Sequence, residues 1–208
     1  MDTAHRIRAG LEGASALAGL VGTVIVVSLL WMTLAVLVLP LPAATAALFA
    51  SVGRAVEGRA GNPFADFLGG LRTHWRQASG VGAPALVLGV VIGVDALSFL
   101  SQPSAVARGF GWLFASLFFL WCALLLLFWP ALVCRDLSWR RLVKESFWLT
   151  MGTLPWRLAT AAAAALVILL AVLYPVLIPF VPGVVALIGS WSALRTFRRY
   201  GLAVELHS

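Results

Sequence analysis

Two uncharged stretches decide what this chain can become. Residues 13–53 hold 41 consecutive positions without a charge, and residues 158–194 hold 37. A helix crosses the hydrocarbon core of a bilayer with about 20 apolar residues, so each stretch is about twice what one crossing needs. Each is also broken near its middle by proline: Pro40 and Pro42 in the first, Pro175, Pro179 and Pro182 in the second. Proline lacks a backbone donor and clashes with the preceding turn, so these are natural hairpin points. Shorter uncharged runs at 77–94, 96–107 and 109–134 lie between.

The rest of the composition agrees. Hydrophobic residues make up 62% of the chain and charged residues 11%, with a mean hydropathy of +0.99. Soluble domains average roughly 45–50% apolar and 25% charged, which excludes disorder and an ordinary soluble enzyme. The expected fold is all-α: a single polytopic membrane bundle over 1–208. Its six segments fall near 13–39, 43–57, 81–101, 109–134, 157–178 and 182–197, the second and sixth short or re-entrant.

Charge tests the count. With six crossings and a cytoplasmic N-terminus, fourteen of the fifteen basic residues fall inside and only Arg108 outside. Four crossings would split them 6 to 9. Both termini are therefore expected on the cytoplasmic side of the membrane. The net charge of +7 then reflects flanks facing anionic headgroups rather than nucleic acid. The apolar core after Arg6 and Arg8 is too long for the ~7–15 residues of a signal peptide, so the first helix is expected to be mature structure.

Two charged stretches keep helical periodicity. In 63–77, Phe64, Phe67, Leu68, Leu71 and Trp75 recur at helical spacing, with Asn62 and Pro63 as N-cap and first residue and Asp66 in the first turn. In 136–150, Trp139, Leu142, Val143 and Phe147 oppose Arg140, Arg141, Lys144 and Glu145. Both are expected as amphipathic helices lying in the inner interface, as anchors or as docking surfaces.

Chemistry-bearing residues are few. No phosphate loop, HExxH motif or metal-spaced Cys/His cluster occurs, so no cofactor or metal is expected. Cys122 and Cys134, roughly 18 Å apart along one helix, are too distant for a disulfide. Asp95 alone interrupts a span with charge; it is expected near the outer interface, with Arg108 as its partner. The Pro40–Pro42 turn is expected at the outer tip of the first hairpin, with Thr45 capping the returning helix. Small residues at Ala14, Ala18 and Gly22, and at Gly89 and Gly93, permit close helix packing within one chain or in a homo-oligomer.

The run from Pro40 to Phe49, the stretch Pro63-Phe-Ala-Asp-Phe67, the pair Trp75 and Arg76, and the later 142–157 segment resemble the YesL-like family of bacterial membrane proteins. The likeness spans roughly residues 14–200. It implies a part in sugar uptake beside carbohydrate ABC importers, and by position it carries over Pro40, Pro42, Thr45, Asp66, Phe67, Trp75 and Arg76. The function expected first is a non-enzymatic accessory protein working with an importer permease or ATPase. A small enzyme or carrier acting on a lipid or lipid-linked sugar, through Asp66, Arg72 and His74, is the alternative, and a self-associating scaffold the third.

Overall fold

Both long uncharged stretches fold as helical hairpins broken at their prolines. The computed structural model describes residues 2–37, 40–59, 61–135 and 137–202, with side chains from residue 13 onward. Helix α1 (Asp2–Ala35) stops before the proline pair, and α2 (Leu41–Val56) starts with Pro42 in its first turn, where a missing N–H costs nothing. The chain continues through α3 (Pro63–Gln77), a π turn (Ala78–Gly82), α4 (Ala83–Leu100), α5 (Ala105–Cys134), α6 (Trp139–Gly152) and α7 (Leu154–Leu173). A 3₁₀ turn (Pro175–Phe180) then leads into α8 (Val181–Arg199). The described residues contain no strand.

Five stretches are long and apolar enough to cross a membrane: Gly13–Ala35, Pro63–Leu100, Ala105–Cys134, Leu154–Leu173 and Pro175–Arg199. The second expected segment is short, as anticipated; α2 has 16 residues, or about 24 Å at the helical rise. The sixth is not short, because the 3₁₀ turn extends it to 25 residues.

One boundary differs from expectation. Residues 63–77 do not form a separate interfacial helix; α3 runs through the π turn into α4 without a break. Ser79, Gly80 and Gly82 do not stop the helix; they fall in the widened turn, immediately before Pro84, which cannot return an N–H to the carbonyl of the preceding turn. The second interfacial stretch forms as α6, starting at Trp139; Asp136 lies outside the described residues.

Helix α2 is the centre of the bundle. Eleven of its residues are buried, among them Ala43, Ala44, Ala46, Ala47 and Ala50, and these small side chains let neighbours approach on every side. A Cβ on Gly70 of α3 would lie 3.0 Å from the Ala50 Cβ, and one on Gly189 of α8 would lie 2.9 Å from the Phe49 ring. The α4–α5 hairpin closes through glycine in the same way: Gly89 faces Trp121 and Gly93 faces Phe118, and Trp121 Nε1 donates to the Ala85 carbonyl at 3.2 Å. These two glycines therefore serve packing within the chain, whereas Ala14, Ala18 and Gly22 on α1 stay exposed.

Helix ends are stopped by a device the sequence reading did not use. After α2, Gly58 has φ +72°, with Arg59 N donating to Arg54 O and Gly58 N to Ala55 O. After α8, Gly201 has φ +63°, with Leu202 N donating to Phe197 O and Gly201 N to Arg198 O. Both are Schellman caps, in which glycine takes the left-handed position that satisfies the last carbonyls.

Candidate functional site

Three polar clusters among the described residues bear on the candidate residues, which divide among them unevenly. The first is the corner between α2 and α3. Asn62 caps α3 as expected, its Oδ1 accepting from Phe64 N at 3.0 Å. Asp66 accepts from Gly61 N at 3.2 Å and faces Arg54 at 3.6 Å, while Arg54 Nη2 donates to the Asp66 carbonyl at 2.7 Å. Phe67 is fully buried beneath this corner. The geometry clamps α2 to α3 through Asp66 and Arg54 over a fully buried Phe67.

The Pro40–Pro42 turn joins the two helices of the first hairpin. Pro42 is buried, and a Cβ on Gly82 would lie 3.2 Å from its Cβ and 2.4 Å from the Trp129 ring. The turn is thus packed against the open end of the α4–α5 hairpin, and the departure from expectation is at Thr45. Thr45 does not cap α2: its hydroxyl donates to Leu41 O at 2.8 Å and accepts from Trp31 Nε1 at 3.1 Å. A hydroxyl inside a helix satisfies itself on the preceding turn, and its spare lone pair ties α1 to α2.

The second cluster lies where α3 and α6 come together. A groove of about 790 Å³ is lined by Arg76, Gln77, Val81, Leu137, Trp139 and Val143, among others. Gln77 Nε2 donates to the Leu137 carbonyl at 3.0 Å and fixes one wall. Arg140 lies 5.2 Å over the Trp139 ring. The apolar face expected on α6 divides: only Leu142 is buried, while Trp139, Val143, Phe147 and Trp148 are exposed. Trp75, Arg72 and Arg76 are exposed on α3, and His74 is buried. Neither Asp66, Arg72 nor His74 lines the α3–α6 groove or the two cavities beside α7 and α8 described below.

Asp95 is half-buried and makes no hydrogen bond or ion pair among the described residues; Arg108, exposed on α5, is not its partner. Its neighbours Ser98 and Ser101 bond to each other's turn, with Ser101 Oγ donating to Ser98 O at 2.8 Å.

The third cluster was not visible in the sequence. Arg157, counted there among the basic flanks, is fully buried at the start of α7. Its Nη1 donates to Ser192 Oγ at 3.0 Å, its Nε to Thr153 Oγ1 at 3.2 Å, and its Nη2 to Thr196 Oγ1. A buried guanidinium usually sits on a carboxylate; this one is held by three hydroxyls. Beside it a pocket of about 350 Å³ is lined by Thr153, Trp156, Arg195, Thr196, Arg199 and Tyr200, among others. Arg195 lies 5.2 Å over Trp156 and 5.4 Å over Trp191, whose rings are 5.9 Å apart. Those two tryptophans also line an apolar groove of about 750 Å³ between α1, α2, α7 and α8. The signal that could have found it is the i, i+4 pair Ser192 and Thr196 on an otherwise apolar segment.

No group of three or more His, Cys, Asp or Glu among the described residues could hold a metal. The chain matches a family model described as a protein of unknown function, DUF624, over residues 24–96. That stretch contains the candidate motif residues from Pro40 to Asp95 and none of α5 to α8. No curated protein and no solved structure matches the chain.

Proposed function

We propose that the chain is a non-enzymatic accessory protein of a bacterial cell membrane, with both termini cytoplasmic, that docks a membrane partner in the groove between α3 and α6. The observation that carries this reading is the meeting of the two stretches whose sequences mark them as docking surfaces: Arg76 and Gln77 on one side, Trp139 and Val143 on the other. Exposed tryptophan beside arginine is the composition of an interface anchor. Arg76, Arg140 and Arg141 make the partner's complementary segment acidic and apolar. The resemblance to YesL-like proteins makes the permease or ATPase of a carbohydrate ABC importer the partner to test first.

A photo-crosslinking residue at Val143 of the tagged full-length protein tests this in intact membranes. The expected product is one discrete adduct with an importer subunit, lost on Trp139→Ala. An unchanged adduct in Trp139→Ala, or adducts with lipid alone, would sink the reading. The enzyme or carrier alternative would call on Asp66, Arg72 and His74, of which Asp66 is engaged by Arg54, His74 is buried and Arg72 is exposed.

A further inference from the structure

We infer that the pocket between α7 and α8 seats the phosphate of one anionic phospholipid, whose acyl chain lies in the adjoining groove between α1, α2, α7 and α8. The site is separate from the α3–α6 groove and stands or falls independently of the docking reading.

Charge makes the first part of the case. Arg195 and Arg199 line the pocket, and neither has an acidic partner among the described residues. Glu145 is the one carboxylate between residues 137 and 202, and it is taken by Arg135. Behind the pocket wall, Thr153 and Thr196 hold the Arg157 guanidinium, so a third positive charge faces the same space through two hydroxyls. Two arginines line the pocket with no carboxylate between them, and the Arg157 charge stands behind its wall, a field that favours an anion. Arginine also offers the planar, forked donors that suit phosphate oxygens.

Shape makes the second part. Trp156 belongs to the walls of both cavities, so the basic pocket opens beside the apolar groove. Arg195 stacks on Trp156 and Trp191, which holds its guanidinium at the junction. From that junction the groove follows α7 from Trp156 to Ala163 over Leu17, Leu20 and Ile188, about 10 Å at the helical rise. A small polar anion would leave this apolar surface bare, whereas an amphiphile covers both. The Trp–Arg junction also matches the depth at which a lipid changes from headgroup to chain.

The test uses the full-length protein purified in mild detergent, with lipid adducts counted by native mass spectrometry. Dioleoyl phosphatidylglycerol should be retained as a single tight adduct, and dioleoyl phosphatidylcholine should not. Arg195→Gln with Arg199→Gln should weaken phosphatidylglycerol binding roughly thirtyfold, as two arginines facing an anionic headgroup contribute. Arg72→Gln with Arg108→Gln makes the same change in charge elsewhere and should leave the adduct intact. Ala163→Phe, which fills the groove, should weaken the adduct without altering the Arg pair. Equal retention of the two lipids, or full retention by the Arg195 and Arg199 variant, overturns the inference. Displacement of the adduct by millimolar inorganic phosphate, with Ala163→Phe unaffected, would instead make free phosphate the ligand and overturn the lipid. Thermal unfolding of each variant, expected unchanged for the exposed arginines, keeps loss of binding distinct from loss of fold.

Discussion

Ser28 accepts the backbone N–H of Gly183 on its Oγ at 2.9 Å while donating to its own helix at Val24 O, 2.7 Å away. The bond joins the first helix to the first turn of the last, where a helix leaves its N–H groups without internal partners. It exists because residue 183 has no side chain: a Cβ there would stand 2.3 Å from Ser28 Oγ and 2.7 Å from Val24 O. Gly183→Ala must therefore push α8 off α1, and should lower stability by roughly 1–3 kcal/mol. Gly22→Ala on the same α1, with nothing within 4 Å, should be neutral or slightly stabilising, since alanine favours the helix by up to about 1 kcal/mol. Thermal unfolding of the two variants in detergent compares them; equal effects would contradict the packing.

The hairpin between α1 and α2 is expected to survive the loss of its prolines. Trp31 and Thr45 bridge the two helices at 3.1 Å, and Pro42 is buried against Gly82 and Trp129. The Trp31–Thr45 bridge remains when the prolines are replaced. In Pro40→Ala with Pro42→Ala, a cysteine at the exposed position 65 should label from the same side as in the wild type. Thr45→Val should cost more than the prolines do, roughly 0.6–1.7 kcal/mol, the range of hydrogen bonds between membrane helices. A reversed label, or a Thr45→Val variant as stable as wild type, would count against this account.

Legibility followed sequence separation. Asn62 and its helix were readable because cap and helix are neighbours in the chain, and the hairpins because length, charge and proline act locally. The central place of α2 was not: Ala43 to Ala50 read equally well as a lipid-facing segment, and only Gly70 and Gly189 meeting it from distant helices bury it. Arg157 shows the limit most sharply. Its flank position matched every other interfacial arginine, and its partners Ser192 and Thr196 lie 35 and 39 residues away. The Arg54–Asp66 pair, 12 residues apart across one turn, was half visible, since the first-turn acid was read and its partner was not.

At that corner the two residues should not be equivalent. Asp66→Asn removes an ion pair between side chains 14% and 18% exposed, but leaves Arg54 bonded to the backbone carbonyl at 2.7 Å. Partly solvated pairs contribute about 1 kcal/mol or less, so this variant should be mildly destabilised. Arg54→Met loses both interactions, including the charge-assisted bond to a carbonyl that otherwise has only its own helix partner, at a cost of about 2 kcal/mol. Chemical unfolding should rank Arg54→Met well below Asp66→Asn; the reverse order would mean the carboxylate, and not the carbonyl, anchors α3.

The buried arginine allows a prediction whose two halves point in opposite directions. Arg157 donates to Thr153, Ser192 and Thr196, but Thr153 also donates to Leu149 O at 2.6 Å and Thr196 to Ser192 O at 2.9 Å. Those two hydroxyls stay satisfied if the guanidinium is removed. What disappears is a buried charge with no carboxylate to offset its desolvation, a penalty of several kcal/mol per ion, against the ~1–3 kcal/mol of the buried Ser192 hydroxyl that loses its partner. Arg157→Met should therefore unfold at the same or a higher temperature than wild type. Arg157→Lys should unfold lower, because a single ammonium cannot reach three hydroxyls arranged for a fork. If the guanidinium serves the anion pocket, the more stable Met variant should nonetheless retain phosphatidylglycerol less well in native mass spectra. An Arg157→Met protein that is both less stable and unchanged in lipid retention would make Arg157 a structural keystone and remove it from the pocket's chemistry.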